Sequence, residues 1–170
     1  MINKINNLSQ TKFVKIFANI FEKTKWIAEK LYNQKPFDSF EDLRLKMLEI
    51  FKKTSKENQL IILRAHPDLA DKTKIGILSL DSLYEQSKAG LDQCSEEEFD
   101  EFKNLNDEYK KKFGFPFIIA VGGKNKVDIL NEFKKRILNN LDDEFNEAIL
   151  QVCDIANLRL NEINIKQLDL

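Results

Sequence analysis

The sequence predicts an all-α, single-domain bundle of about seven or eight helices over residues 1–170. Two observations carry that prediction. Apolar residues recur at i, i+3 and i+4 in one segment after another, and most of these segments open on Ser, Asn or Asp, whose side chains cap helix N-termini. A third observation sets the domain count: no repeat, low-complexity tract or linker divides the 170 residues.

Taken in order, Ser9 caps a first helix with Phe13, Ile16, Phe17, Ile20 and Phe21 as its stripe. Trp26, Ile27 and Leu31 mark a second, shorter helix that Pro36 breaks. Ser39 begins a third, with Leu43, Met47, Ile50 and Phe51 on one side. Ser55 opens "SKENQLIILRA", which must end near His66, because a residue before proline is pushed out of the α region. Residues 71–80 read as a loop, and a helix covers "DSLYEQSKAGL". Ser95 and Glu98 form a capping box ahead of the stripe Phe99, Phe102, Leu105, Tyr109 and Phe113. "GFPF" ends that helix, and the short apolar run "IIAV" is followed by "GG". Asn125 is placed to cap "KVDILNEFKKRILNNL", and Asp142 to cap the last long helix.

Composition removes several function classes. The net charge of −1 draws the chain neither to nucleic acid nor to an anionic membrane. No apolar run approaches a membrane span, no secretory signal opens the chain, and the final "QLDL" is not a peroxisomal address. Cys94 and Cys153 form no CxxC pair and read as buried or idle thiols in a reducing cytosol. One histidine and two scattered cysteines make no ordinary zinc site, and five glycines form neither a dinucleotide fingerprint nor a P-loop.

Four features stand out from the helical background. His66, the only histidine, sits at a helix exit before Pro67. It reads either as a helix C-terminal residue favoured by the dipole or as an acid–base group aimed by a rigid X-Pro turn. Ser82, Glu85 and Gln86 share one helix face, followed by the small residues Ala89 and Gly90. Arg159 projects near the middle of the last helix's apolar stripe of Phe145, Ala148, Ile149, Val152, Ala156, Leu160 and Ile163. A charge there must snorkel to solvent, or needs an ion pair, to Glu85 or another acid, or a planar polar ligand for its guanidinium fork. Finally, "FGFPFIIAV" at 113–121 is too short and punctuated for a helix. If buried and extended, its backbone polar groups need partners from neighbouring loops or from a ligand. Together these groups suit a small, polar, planar, anionic molecule.

Four blocks, "AHPDLA" at 65–70, "SLYEQSKAGL" at 82–91, "LNDEYKKKFGFPFIIAV" at 105–121 and "LRLNEI" at 158–163, resemble the 2-oxo-4-hydroxy-4-carboxy-5-ureidoimidazoline (OHCU) decarboxylase family. "FEKTKWIAEKLYNQKPF" resembles its N-terminal helices, so the likeness covers essentially the whole chain. The resemblance implies an all-α cytoplasmic homodimer that converts OHCU to (S)-allantoin and CO2 in uric acid breakdown, with no metal and no organic cofactor. It implies that His66 and Glu85 are catalytic. It implies substrate contacts from Pro67, Ser82, Leu83, Tyr84, Gln86, the strip Phe117, Ile118, Ile119, Ala120 and Val121, and Arg159. The chain departs from the family pattern at Asp71, where Gly is common, in a loop before Ser82 that is one residue short, and at Gly122, where a Lys or Arg often stands. Two readings from other classes remain beside it: a helical lyase acting on a related ureido acid, and a non-catalytic helical binding module.

Overall fold

A computed structural model describes residues 1–70 and 80–163. The expected loop at 71–79, Asp71 within it, and the C-terminal "QLDL" lie outside the described residues. The fold is all-α, with nine α-helices among the described residues. They are α1 (Ile2–Asn6), α2 (Gln10–Phe17), α3 (Lys25–Tyr32), α4 (Phe40–Lys52), α5 (Lys56–Ala65), α6 (Leu80–Lys88), α7 (Glu96–Phe113), α8 (Lys126–Arg136) and α9 (Leu141–Glu162). The one beyond the expected eight is α1, a single turn too short to show a stripe.

The capping residues set most helix starts. Ser9 accepts from Lys12 N, Ser39 from Asp42 N, Ser55 from Asn58 N, and Ser95 forms the expected capping box with Glu98. Asn125 closes a second box with Asp128. The last helix corrects one expectation. Asn140, not Asp142, receives the amide of Asp143 at 2.9 Å, so α9 starts a residue or two earlier than expected. Gly114, at φ 78°, supplies the left-handed residue that closes α7.

The chain divides into two compact units. The first comprises residues 1–62 and 153–170. Here α3 packs against α2 and α4 around Phe13, Phe17, Phe21, Ile27, Leu31, Leu43, Met47 and Phe51, all buried. Rings meet directly: Phe13 and Phe17 lie 4.5 Å apart, Phe21 and Phe51 4.9 Å. Ile20 and Phe21 are buried as their periodicity suggested, yet α2 ends at Phe17. Cys153 is buried in this unit, and desolvation pushes its thiol up to about 11.

The second unit comprises residues 63–152. Its centre is α7, whose buried Tyr109 lies edge-on to Phe117 at 5.3 Å and to Phe133 at 5.6 Å, while those two rings stack on each other at 3.9 Å. Residues 115–121 are buried and belong to neither a helix nor a strand. A buried ion pair fixes them. Arg136, at the end of α8, reaches Glu144 in the first turn of α9 through Nε at 3.0 Å and Nη2 at 2.6 Å. Its Nη1 donates to the Ile118 carbonyl at 2.8 Å, and the guanidinium lies over the Phe117 ring at 4.5 Å. Glu144 also accepts from the Tyr109 hydroxyl and from Asn139 Nδ2. Burial first, then the Glu144 carboxylate, raise the Tyr109 hydroxyl far above its ordinary range, so it stays a donor.

Two outcomes follow. Arg136→Met leaves a carboxylate with no solvent exposure facing no cation and should cost about 3–5 kcal/mol in urea unfolding; the double variant Arg136→Met/Glu144→Leu should recover part of that loss. Cys153, with its thiol held near 11, should resist alkylation at pH 8 in the folded chain and react only once the chain is unfolded by urea.

Candidate active site

All the sequence-derived site residues except Arg159 lie in the second unit. Helix α5 ends at Ala65, as Pro67 requires, and the His66 amide donates back to the Leu63 carbonyl at 3.2 Å. His66 and Pro67 are half-buried. The next three residues are each held by a different side chain. Asp68, buried, pairs with Lys110 Nζ at 2.7 Å. The Leu69 carbonyl accepts from Asn106 Nδ2 at 3.0 Å. The Ala70 amide donates to Gln86 Oε1 at 3.0 Å, and Gln86 Nε2 reaches the Asp68 carbonyl at 3.5 Å. Ala70 sits at φ 54°, a left-handed conformation that costs a residue with a Cβ about 1–2 kcal/mol.

Gln86 therefore ties α6 to the segment after His66, which places the Ser82/Glu85/Gln86 face beside the histidine turn. Ser82 and Gln86 are buried, and Glu85 and Leu83 are half-buried. Small Ala89 is buried behind them, and Gly90, at φ 74°, lets the chain turn into Leu91–Gln93. Tyr84 is the outlier, a residue 53% exposed with Lys88 Nζ 4.1 Å from its ring centroid.

The strip Phe117–Val121 belongs to the same unit and joins the same scaffold, since Phe117 packs on Tyr109 of α7. Of its backbone groups, the Ile118 carbonyl is taken by Arg136, the Ala120 amide by Gln151 Oε1 at 2.8 Å, and the Ala120 carbonyl by Lys124 Nζ at 3.0 Å. Side chains of α8, α9 and the following turn, more than neighbouring loops, satisfy these groups. Lys124 also bears on the departure at Gly122. A positive charge still reaches the strip, from two residues further along.

Arg159 belongs to the first unit. It is buried, and its Nη1 donates to Glu22 Oε2 at 3.1 Å and to the Asn19 carbonyl at 3.1 Å. Glu22, itself buried, is an acid that pairs with it. The Asn19 carbonyl lies just past the end of α2, so the guanidinium also closes a helix end. A cleft of about 300 Å³ in this unit, lined by Lys30, Gln34, Glu49, Ile50, Lys53 and Thr54, includes none of the site residues. Among the described residues, no group of three or more His, Cys, Asp or Glu is arranged to hold a metal ion.

Arg136, Glu144, Asn106 and Lys110 were not singled out from the sequence. The test that exposed Arg159 would have found two of them. Arg136 lies on the Ile129, Phe133 and Ile137 stripe, and Glu144 is one turn before Ala148. Asn106 and Lys110 gave no comparable signal, because polar residues on an amphipathic helix are ordinarily solvated.

Fold and side chains define an all-α protein in which a helix carrying a carboxylate, an amide and a hydroxyl is bonded through its amide to the segment after a histidine–proline turn. The OHCU decarboxylase family model matches residues 6–161. The chain belongs to the OHCU decarboxylase family. It is 37% identical to the 2-oxo-4-hydroxy-4-carboxy-5-ureidoimidazoline decarboxylase of Haloferax volcanii, a match covering 95% of this chain and 94% of that one. It is likewise 37% identical to the uric acid degradation bifunctional protein of Bacillus sp. (strain TB-90), where 95% of this chain spans 32% of the longer protein. Among solved structures, (S)-allantoin synthase superposes with a TM-score of 0.76 at 26% identity, over 95% of this chain and 53% of the other.

Replacing Ala70 by Gly removes the left-handed strain. Ala70→Gly should therefore leave the urea midpoint unchanged or raised, by up to about 1 kcal/mol in stability, where Ala→Gly in ordinary backbone lowers it.

Proposed function

We propose that this chain decarboxylates OHCU to (S)-allantoin and CO2 in uric acid degradation, acting as a carboxy-lyase without metal or organic cofactor. The observation that carries the reading is the family match over residues 6–161, within which the His66 turn lies tied to the Ser82/Glu85/Gln86 face. The (S)-allantoin synthase likeness supports the handedness of the product.

Decarboxylation needs a place for the C–C bonding electrons. In OHCU the ring C=N bond at the ureido-bearing carbon takes up that pair as CO2 leaves the hydroxyl-bearing carbon; the resulting enol then gives up its hydroxyl proton to become the ring carbonyl, and the ureido-bearing carbon accepts a proton. The protein's tasks are to turn the carboxylate out of the ring plane, stabilise the developing negative charge, and deliver the proton to one face. In this reading His66 is the acid–base group, and Glu85 orients the imidazole or holds the ureido N–H groups. Ser82 and Gln86 fix the ring's orientation, with Pro67, Leu83 and Tyr84 bordering it. The 117–121 backbone and Arg159 bind its polar edges. Lys124 adds the positive charge that Gly122 lacks. Residues 1–170 act as one domain, and the active form is a cytoplasmic homodimer.

The test uses freshly generated OHCU and follows the ellipticity of allantoin. The uncatalysed reaction is protonated from either face and gives racemate, so enantiomeric excess, not bulk allantoin, reports the enzyme. Wild-type protein should give (S)-allantoin in large excess. His66→Gln should lower the stereospecific rate by about 10²–10⁴-fold. Racemic product in the presence of the wild-type chain would remove the reading in favour of a binding module.

A further inference from the structure

We propose that Asn106 and Lys110 are positioning residues for His66, acting through the segment Asp68–Ala70. The inference rests on the reading of His66 as the acid–base group. Its physical basis is the way this segment is held. Three consecutive residues are pinned by three side chains from two helices: Lys110 on Asp68, Asn106 on Leu69, and Gln86 on Ala70. Asn106 and Lys110 are one turn apart on α7, so a single helix face holds the first two. The segment ends in Ala70 at φ 54°, a conformation that persists only where its surroundings over-determine it. Strain held in place by several bonds, beginning two residues from a half-buried imidazole, fixes the direction in which that imidazole leaves the helix.

A second observation separates this from ordinary loop fastening. Asn106 is buried, and its Oδ1 has no hydrogen-bond partner among the described residues. An apolar side chain of similar size would remove that unsatisfied oxygen but would leave the buried Leu69 carbonyl without its donor, so the amide is kept for that one bond. What the amide supplies is the Nδ2 donor that sets the Leu69 carbonyl, and with it the path of the chain after Pro67.

Lys110 contributes on the other side of the same segment. Its stem and head are about one-third exposed while Asp68 is buried, so the ammonium comes to the carboxylate from the solvent side and anchors it. Lys110 also lies 3.8 Å from Asp107, an exposed neighbour on its own helix, so the bond to Asp68 is the one that joins α7 to the histidine segment.

The experiment exploits the single histidine, whose imidazole gives one assignable set of NMR resonances. Asn106→Leu, Lys110→Met and Lys110→Arg are compared with wild type by the His66 ring cross-peaks, urea midpoint, and kcat and KM for stereospecific turnover. The charge-free double variant Asp68→Asn/Lys110→Met is included in case Lys110→Met folds poorly. Expected are a shifted, broadened or doubled ring cross-peak in Asn106→Leu and Lys110→Met, with kcat reduced about tenfold to a hundredfold and KM within about twofold of wild type. Asn106→Leu should also lower the urea midpoint, because the buried Leu69 carbonyl loses its donor, and the fall in kcat at unchanged KM in the still-folded variant is the readout that a merely structural role would not produce. Lys110→Arg should restore both cross-peak and kcat. Unchanged cross-peaks in Asn106→Leu and in the double variant would overturn the proposal whatever the turnover. Altered cross-peaks with wild-type kcat would also overturn it, and would show that the histidine moves without being used. A wild-type chain giving only racemate would instead count against the decarboxylase reading while the cross-peaks still report the positioning.

Discussion

The second unit depends on one interaction, the buried pair of Arg136 and Glu144. Neither ion touches solvent appreciably, so each must find its partners inside the protein. Arg136 divides its donors between Glu144 and the Ile118 carbonyl, and Glu144 gathers the Tyr109 hydroxyl and the Asn139 amide. One ion pair thereby joins α7, α8, α9 and the strip. A pair of this kind is weak evidence for net stability, because desolvation offsets much of the attraction. Its consequence is geometric. Any shift of the strip would leave a buried charge unsatisfied, so residues 117–121 are held to one path.

The first unit has a parallel device on a smaller scale. Arg159 and Glu22 form a buried pair, and the guanidinium also takes the Asn19 carbonyl at the end of α2. A helix end that would otherwise continue toward Ile20 and Phe21 is met by a cation, and the chain turns there. The apolar residues keep their burial while the backbone leaves the helix.

Much of this fold was legible in the sequence because its cues are local. Ser9, Ser39, Ser95 and Asn125 cap helices by bonds to amides two or three residues away, which spacing alone reveals. The sequence points to Asp142 as the cap of the last helix, where Asn140 is found, because two acids follow Asn140 closely and either suits a helix start. Arg159 was legible as a charge on an apolar stripe, but the acid it meets was not, since Glu22 is far away in sequence and nothing local links them. The same holds for the site. His66, Pro67 and the α6 face announced themselves by rarity and spacing, whereas the pins from Asn106 and Lys110 are contacts across tens of residues, invisible to periodicity.

A helix satisfies its own backbone and so has nothing to offer a ligand along its length except side chains. In an all-α protein, backbone groups become available where helices stop. Among the described residues of the second unit, His66–Ala70 and Phe115–Val121 are half-buried or buried breaks of this kind, and each contains a proline that prevents helical continuation. Both are anchored on α7, through Asn106 and Lys110 on one side and Tyr109 on the other. A bundle built to bind a planar polar molecule must keep such breaks open, buried and motionless at once. The buried pair on one break and the pinned, strained segment on the other meet that requirement by the same means: polar side chains that bond directly to the backbone or side chains of the break.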